Sequence, residues 1–182
     1  MQPLIHVRDV LALRRCCAEA SALWVVDVRR QCLYGWTGDE WLRPRPVSTA
    51  VAGLGNRPGS QRTPLGLLQV REVIGVGQPI GQPFVERKAV GVPCTEWIGG
   101  TGDRILSRII TVTGRVGGLN ENSQERYIYL HGTDQEEKLG TPCSHGCIRM
   151  ANRDIVEMAD ALGEMRPFVW VGSVGQFSEL PA

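Results

Sequence analysis

The sequence predicts a mainly β domain of α+β type, sandwich-like, with a helix at its N-terminus and one more late in the chain. Three observations carry this. Short runs of β-branched and aromatic residues recur from residue 23 onward between Gly- and Pro-bearing breaks. Only two segments, Val7 to Ala22 and Asn152 to Gly163, space their apolar residues as a helix does. At 182 residues the chain suffices for one well-buried domain with little left for a second.

Val7, Val10, Leu11 and Leu13, with arginines between them, predict a helix packed on the domain, so residues 1–22 are an extension of it. Trp24 to Val28, Gln31 to Trp36 and Glu40 to Arg43 then open a meander, with Thr37-Gly38-Asp39 as a turn. Val47 to Val51 predicts a strand, Gly53 to Ser60 a loop, and Leu67 to Ile74 another strand. The Gly- and Pro-rich stretch from Gly75 to Gly102 predicts a flap near the active site, with Trp97 divided between a core role and a substrate platform. Arg104 to Thr113 and Tyr127 to His131 alternate as strands, which puts Tyr127, Tyr129 and His131 on one face. Asn152 is positioned to cap the second helix, whose stripe is Ile155, Val156, Met158, Ala159 and Leu162, with Gly163 as its stop. Pro167 to Val171 closes the sheet, so the domain spans 23–172 and a tail follows over 173–182.

Chemistry concentrates between His131 and Cys147, which hold two of the three histidines and two of the six cysteines around a polar loop. A thiol is nucleophilic only as thiolate and needs a base. His145 lies two residues from Cys147, whereas His131 comes from a separate strand and approaches the sulfur freely, so His131 is the expected base. Gly146 lets the amides of His145, Gly146 and Cys147 turn towards one point, as an oxyanion hole requires.

Ser144-His-Gly-Cys-Ile-Arg-Met150, followed by Ala-Asn-Arg-Asp-Ile155 and preceded by Tyr-Leu-His-Gly132, resembles the signature of the YkuD family of L,D-transpeptidases. The resemblance runs from about residue 23 to about residue 172. It implies the YkuD fold and acylation of Cys147 by a peptidoglycan tetrapeptide stem, with release of the terminal D-residue and transfer to an amine or water. It further implies that the Gly132 carbonyl steadies His131, that His145 and Gly146 form the oxyanion loop, and that Arg149 meets a substrate carboxylate. Ser144, Thr133 and Tyr129 are the remaining expected substrate contacts, and Arg62-Thr-Pro-Leu-Gly66 resembles a family element in which Thr63 walls the cleft. Only twelve residues separate His131 from Ser144, fewer than the commonest family spacing.

Two other readings compete with catalysis. Cys143, His145, Cys147 and His131 are zinc-ligand types, although three of them alternate within five residues rather than forming spaced pairs. A module that binds muropeptides without reacting is the second. No glycine-rich nucleotide loop leads into a helix, and a net charge of +1 with a pI near 7.6 gives no case for nucleic acid or an anionic membrane. The expected partners are therefore peptidoglycan stem peptides or muropeptides, with no cofactor and no metal. Met1 to Ala20 carries Arg8, Asp9, Arg14, Arg15 and Glu19, so no apolar run reaches secretory-signal length. The expectation is a cytoplasmic L,D-carboxypeptidase of cell-wall recycling, with a secreted cross-linking L,D-transpeptidase as the alternative.

Overall fold

The computed structural model describes residues 22–172 apart from 38–39, 101 and 116–119, and the expected N-terminal helix and the tail lie outside the described residues. The alternating segments form Leu23–Asp27 (β1), Cys32–Trp36 (β2), Arg45–Ser48 (β3), Gly66–Ile74 (β4), Pro83–Val85 (β5), Lys88–Ala89 (β6), Ile105–Gly114 (β7), Tyr129–Gly132 (β8), Ile148–Met150 (β9) and Phe168–Gly172 (β10). Asn152–Leu162 is the single α-helix (α1) among the described residues.

The strands run in the order β4-β10-β1-β2-β3-β9-β8-β7-β5-β6, and β4 also pairs with β7. That pairing closes one sheet into a barrel-like ring, where the sequence predicts a mixed, sandwich-like arrangement. The reason lies in the two longest strands. β4 pairs with β7 across a register shift between Val70 and Val73, and β7 pairs with β8 across another between Leu106 and Ile109. Such bulges bend and twist a strand, and together they carry the sheet round on itself. Ser107, fully buried at the second shift, adopts a left-handed φ of 67°.

Alternation assigns the packing. Trp24 and Val26 of β1 join Leu33, Val47, Leu68, Ile110, Leu130, Ile148 and Val171 in the main core, which the Ile155, Met158 and Leu162 stripe of α1 completes. Leu23 and Val25, pointing the other way, pack with Tyr34 and Trp170. Arg45, itself buried, donates to Glu157 at 2.8 Å and ties β3 to the helix.

Three expected elements differ in detail. Glu40 to Arg43 contributes only an isolated bridge between Trp41 and Trp36. Tyr127 is not on β8: it has a left-handed φ of 56° and is largely exposed. The N-cap of α1 is Ala151 rather than Asn152. Asn152 is wholly buried and used elsewhere: it accepts from Ser107 Oγ at 2.6 Å and donates to the Thr133 carbonyl at 2.7 Å. Glu136 Oε1 does the capping instead, accepting the Asn152 amide at 2.7 Å, so a carboxylate sits at the positive end of the helix.

Candidate active site

Two parallel strands position the reactive groups. β8 and β9 pair Leu130 with Ile148, His131 with Arg149 and Gly132 with Met150. Paired residues of neighbouring strands share a face, as do residues two apart on one strand, so Tyr129, His131 and Arg149 emerge on one side. Leu130, Ile148 and Met150 anchor the other side in the core. Cys147, one residue before β9, packs against the Tyr129, Phe84 and Ile109 cluster. It is half-buried, and its Sγ lies 3.4 Å from the Tyr127 carbonyl oxygen, to which it donates.

His131 is buried, with Nδ1 2.8 Å from the carbonyl oxygen of Gly132. A carbonyl only accepts, so Nδ1 carries the hydrogen and Nε2 presents its lone pair. Gly132 has no alternative: a Cβ there would collide with Asn152 Oδ1 and come within 2.8 Å of the Leu106 carbonyl oxygen. The buried Asn152 thus fills the space beside Gly132, whose carbonyl steadies the imidazole.

Burial pushes the Cys147 thiol up to about 12, and the Asp103 carboxylate adds to the rise, against a backbone hydrogen bond from Tyr129 and the Arg149 and Arg126 guanidiniums. Burial also pushes the His131 imidazole below its ordinary value, with Asp103 and the Gly132 carbonyl pulling the other way. Both shifts favour the uncharged thiol and imidazole over a thiolate–imidazolium pair.

The loop before the cysteine is held from within. Ser144 Oγ donates to the Cys147 carbonyl at 2.6 Å and accepts the Gly146 amide at 3.3 Å. Of the three amides expected to face one point, Gly146's is therefore taken, while those of His145 and Cys147 meet no acceptor among the described residues. Gly146 has φ 138°, a backbone state that side chains disfavour, and a Cβ there would press on Ile128. The base of the loop is laced to the chain after β3: the Cys143 and Ser144 amides both donate to the Thr49 carbonyl, and Val51 donates to that of Ser144.

Asp103, which sequence reasoning missed, links the parts. Its Oδ1 is 2.6 Å from Arg149 Nε, an ion pair with the N–H turned off the line to the oxygen, and its Oδ2 is 3.2 Å from His145 Nδ1. Burial raises the Asp103 carboxyl, but contact with Arg149 and the nearby histidines outweigh that and leave it below its ordinary value. Arg149 is buried, and its Nη1 donates to Gln135 Oε1 at 2.9 Å and lies 3.2 Å from Cys143 Sγ. His145 is largely exposed beside Asp103.

Other expected contacts are placed differently. Thr133 is fully buried, and its hydroxyl accepts the Gln135 amide, so it holds a turn instead of lining the cleft. Thr63 is equally buried and accepts the Ala50 amide at 2.9 Å, bracing the segment that backs Ser144. Ser144 is buried with its hydroxyl committed inside the loop, so it acts on the loop's shape. Tyr129 walls the sulfur, and its hydroxyl accepts from Arg87 Nε at 2.8 Å. The expected flap is in part a short hairpin, β5–β6, extending β7 beyond the end of β4. Trp97 is half-buried: its indole N–H donates to the Cys94 carbonyl, and it lines a groove with Thr95, Glu96, Ile98 and Glu136. Among the described residues no three His, Cys, Asp or Glu side chains gather as metal ligands, so the four zinc-type residues do not converge.

The YkuD family model, described as the L,D-transpeptidase catalytic domain, matches residues 21–171. Solved structures similar in fold include an L,D-transpeptidase from Xylanimonas cellulosilytica (TM-score 0.52, 16% identity, covering 84% of this chain and 60% of that one). Another is an L,D-transpeptidase from Mycobacterium tuberculosis (TM-score 0.50, 15% identity, 84% and 58%). A third comes from Mycobacterium smegmatis (TM-score 0.48, 17% identity, 85% and 59%). The chain thus spans about three fifths of the length of these structures, and no curated protein matches it. With most of its length matched by that family model, the chain belongs to the YkuD family, the catalytic domain of cysteine L,D-transpeptidases.

Proposed function

We propose that this protein is a cysteine-dependent L,D-carboxypeptidase that removes the terminal D-alanine from peptidoglycan tetrapeptide stems. The supporting observation is the His131 tautomer, fixed by the Gly132 carbonyl on the sheet face that also carries Tyr129, against whose cluster Cys147 packs. His131 Nε2 takes the thiol proton as Sγ bonds to the carbonyl carbon at the L-centre of the third stem residue. The amides of His145 and Cys147 receive the oxyanion, and each such donor is worth roughly 10²- to 10³-fold in rate. The C–N bond then breaks, the imidazolium protonates the departing D-alanine nitrogen, and a thioester remains on Cys147. Water, deprotonated by His131, attacks the thioester, and the proton returns to the sulfur as tripeptide leaves. Because both shifts favour the uncharged pair, proton transfer accompanies attack. The Asp103 carboxylate favours the transient imidazolium.

Water is preferred over an amine in this reading because the segment from Thr133 to Cys143 is short and pinned. The Gly140 amide donates to Val47 and the Cys143 amide to Thr49, which leaves little loop to hold an acceptor chain. Soluble stems, free or sugar-linked, are the proposed substrates, and the cytoplasm the proposed place; fractionation of cells checks the latter. Incubation with disaccharide-tetrapeptide and mass analysis tests the activity. Tripeptide with free D-alanine is expected, while exchanged or cross-linked products without tripeptide would favour the second reading, a transpeptidase.

A further inference from the structure

The β5–β6 hairpin turns through Glu86 and Arg87, both left-handed with φ of 49° and 66°. Two-residue turns of this kind are ordinarily built from Asn and Gly, and residues held there without a glycine's freedom concentrate at functional sites. Val85, Glu86, Lys88 and Ala89 point to solvent, yet Arg87 between them is half-buried. The strained turn folds one side chain of the hairpin inward.

Its destination is the sulfur's wall. Arg87 Nε donates to the Tyr129 hydroxyl at 2.8 Å, and the guanidinium carbon lies 5.3 Å from the Tyr129 ring centre and 5.5 Å from that of Tyr127. Tyr129 packs on Cys147, and Tyr127 supplies the carbonyl that the thiol meets. Two rings and one hydrogen bond therefore hold the guanidinium against the tyrosine of the cluster on which the nucleophile packs. Its Nη1 and Nη2 have no acceptor, and it forms no ion pair, among the described residues. The other arginines near the sulfur differ: Arg149 is paired with Asp103, and Arg126 spends its donors on the Gly55 and Arg62 carbonyls and Ser60 Oγ. A planar fork with two free donors, already ordered before any ligand arrives, matches a carboxylate.

We infer that Arg87 is a substrate-binding residue that takes a carboxylate of an anionic peptide in a bidentate pair and sets the scissile carbonyl over Cys147. This deepens the proposed function and rests on it for the peptide. The anion site itself does not.

Alkylation of Cys147 in the full chain, followed by peptide mapping, separates the two. Iodoacetate carries the carboxylate and iodoacetamide is its neutral counterpart. In Arg87→Gln the iodoacetate rate is expected to fall roughly 10-fold relative to the iodoacetamide rate, the lower end for losing hydrogen bonds to a charged group. Arg87→Lys restores part of it. An unchanged ratio, or both rates moving together as a disturbed hairpin would cause, overturns the inference. With tetrapeptide, Arg87→Gln is expected to raise KM roughly 10- to 100-fold. If the wild type fails to release D-alanine while the alkylation ratio still drops in the variant, the carboxypeptidase reading fails and the anion site stands. Full turnover with an unmoved ratio gives the reverse.

Discussion

Replacing Asp103 by Asn probes the connection that joins the buried arginine to the oxyanion loop. The substitution removes the charge 2.6 Å from Arg149 Nε and 3.2 Å from His145 Nδ1 while keeping the shape. Arg149 stays buried with only Gln135 Oε1 and the weakly accepting Cys143 Sγ. Breaking a fully buried pair costs about 3–5 kcal/mol. The Asp103 side chain is 25% exposed and Asn retains an acceptor, which reduces the expected loss to about 1–3 kcal/mol. For a domain of this size that lowers Tm by roughly 3–10 °C at pH 7. The sign with pH follows from the depressed carboxyl. Its contribution is complete above the unfolded value of about 4 and fades as pH falls through the lower folded value. Thermal unfolding followed by circular dichroism should therefore show a gap between wild type and Asp103→Asn at pH 7 that narrows towards pH 3. Equal Tm values at pH 7, or a gap as wide at pH 3, would refute the reasoning.

Gly132→Ala drives a Cβ onto Asn152 Oδ1 and the Leu106 backbone, and should cost about 1–3 kcal/mol and displace His131; an unmoved Tm with full activity contradicts this. Ser144→Ala strips the Gly146 amide and the Cys147 carbonyl of their partner, so kcat should fall at least ~10-fold with KM little changed, measured as D-alanine release. A loss confined to KM would place the hydroxyl on the substrate instead. With the imidazole held below its ordinary value, the acid limb of kcat/KM should lie below pH 6.5, and a midpoint above it would contradict a buried neutral base. Iodoacetamide labelling of Cys147 should keep rising to pH 10 without levelling near 8, since the thiol is pushed up to about 12.

What sequence reveals here depends on whether a property is local. Strands such as Leu23–Asp27 and Ile105–Gly114 and the helix after the cysteine announce themselves by period, and the His131 to Cys147 stretch by its density of reactive groups. The closed ring does not, because it depends on which edges of β4 and β7 meet, a long-range choice made by two bulges that leave no pattern of their own. Tyr127 counted as part of a strand because alternation ignores φ. The sequence offers Thr133 and Thr63 to substrate because polarity in a loop says nothing of burial, and both are fully buried. Asp103 and Arg87 carry no signal for the opposite reason: each stands beside other charged residues in a loop or turn, with nothing in the sequence to set it apart, and only the folded chain carries one to Arg149 and His145 and the other to the tyrosines beside Cys147. A left-handed Glu86-Arg87 turn has no signature in side-chain type. Asn152 was legible as a helix start, but its bonds to Ser107 and Thr133 join residues distant in sequence.

The account rests on a thioester at one sulfur, and intact-protein mass spectrometry during turnover of tetrapeptide reads it directly. An adduct equal to the tripeptide acyl group, mapped to Cys147, abolished in Cys147→Ala and formed far more slowly in His131→Ala, which lacks the base for acylation, is the expected result. D-alanine released by Cys147→Ala, or an adduct on Cys143, would contradict it.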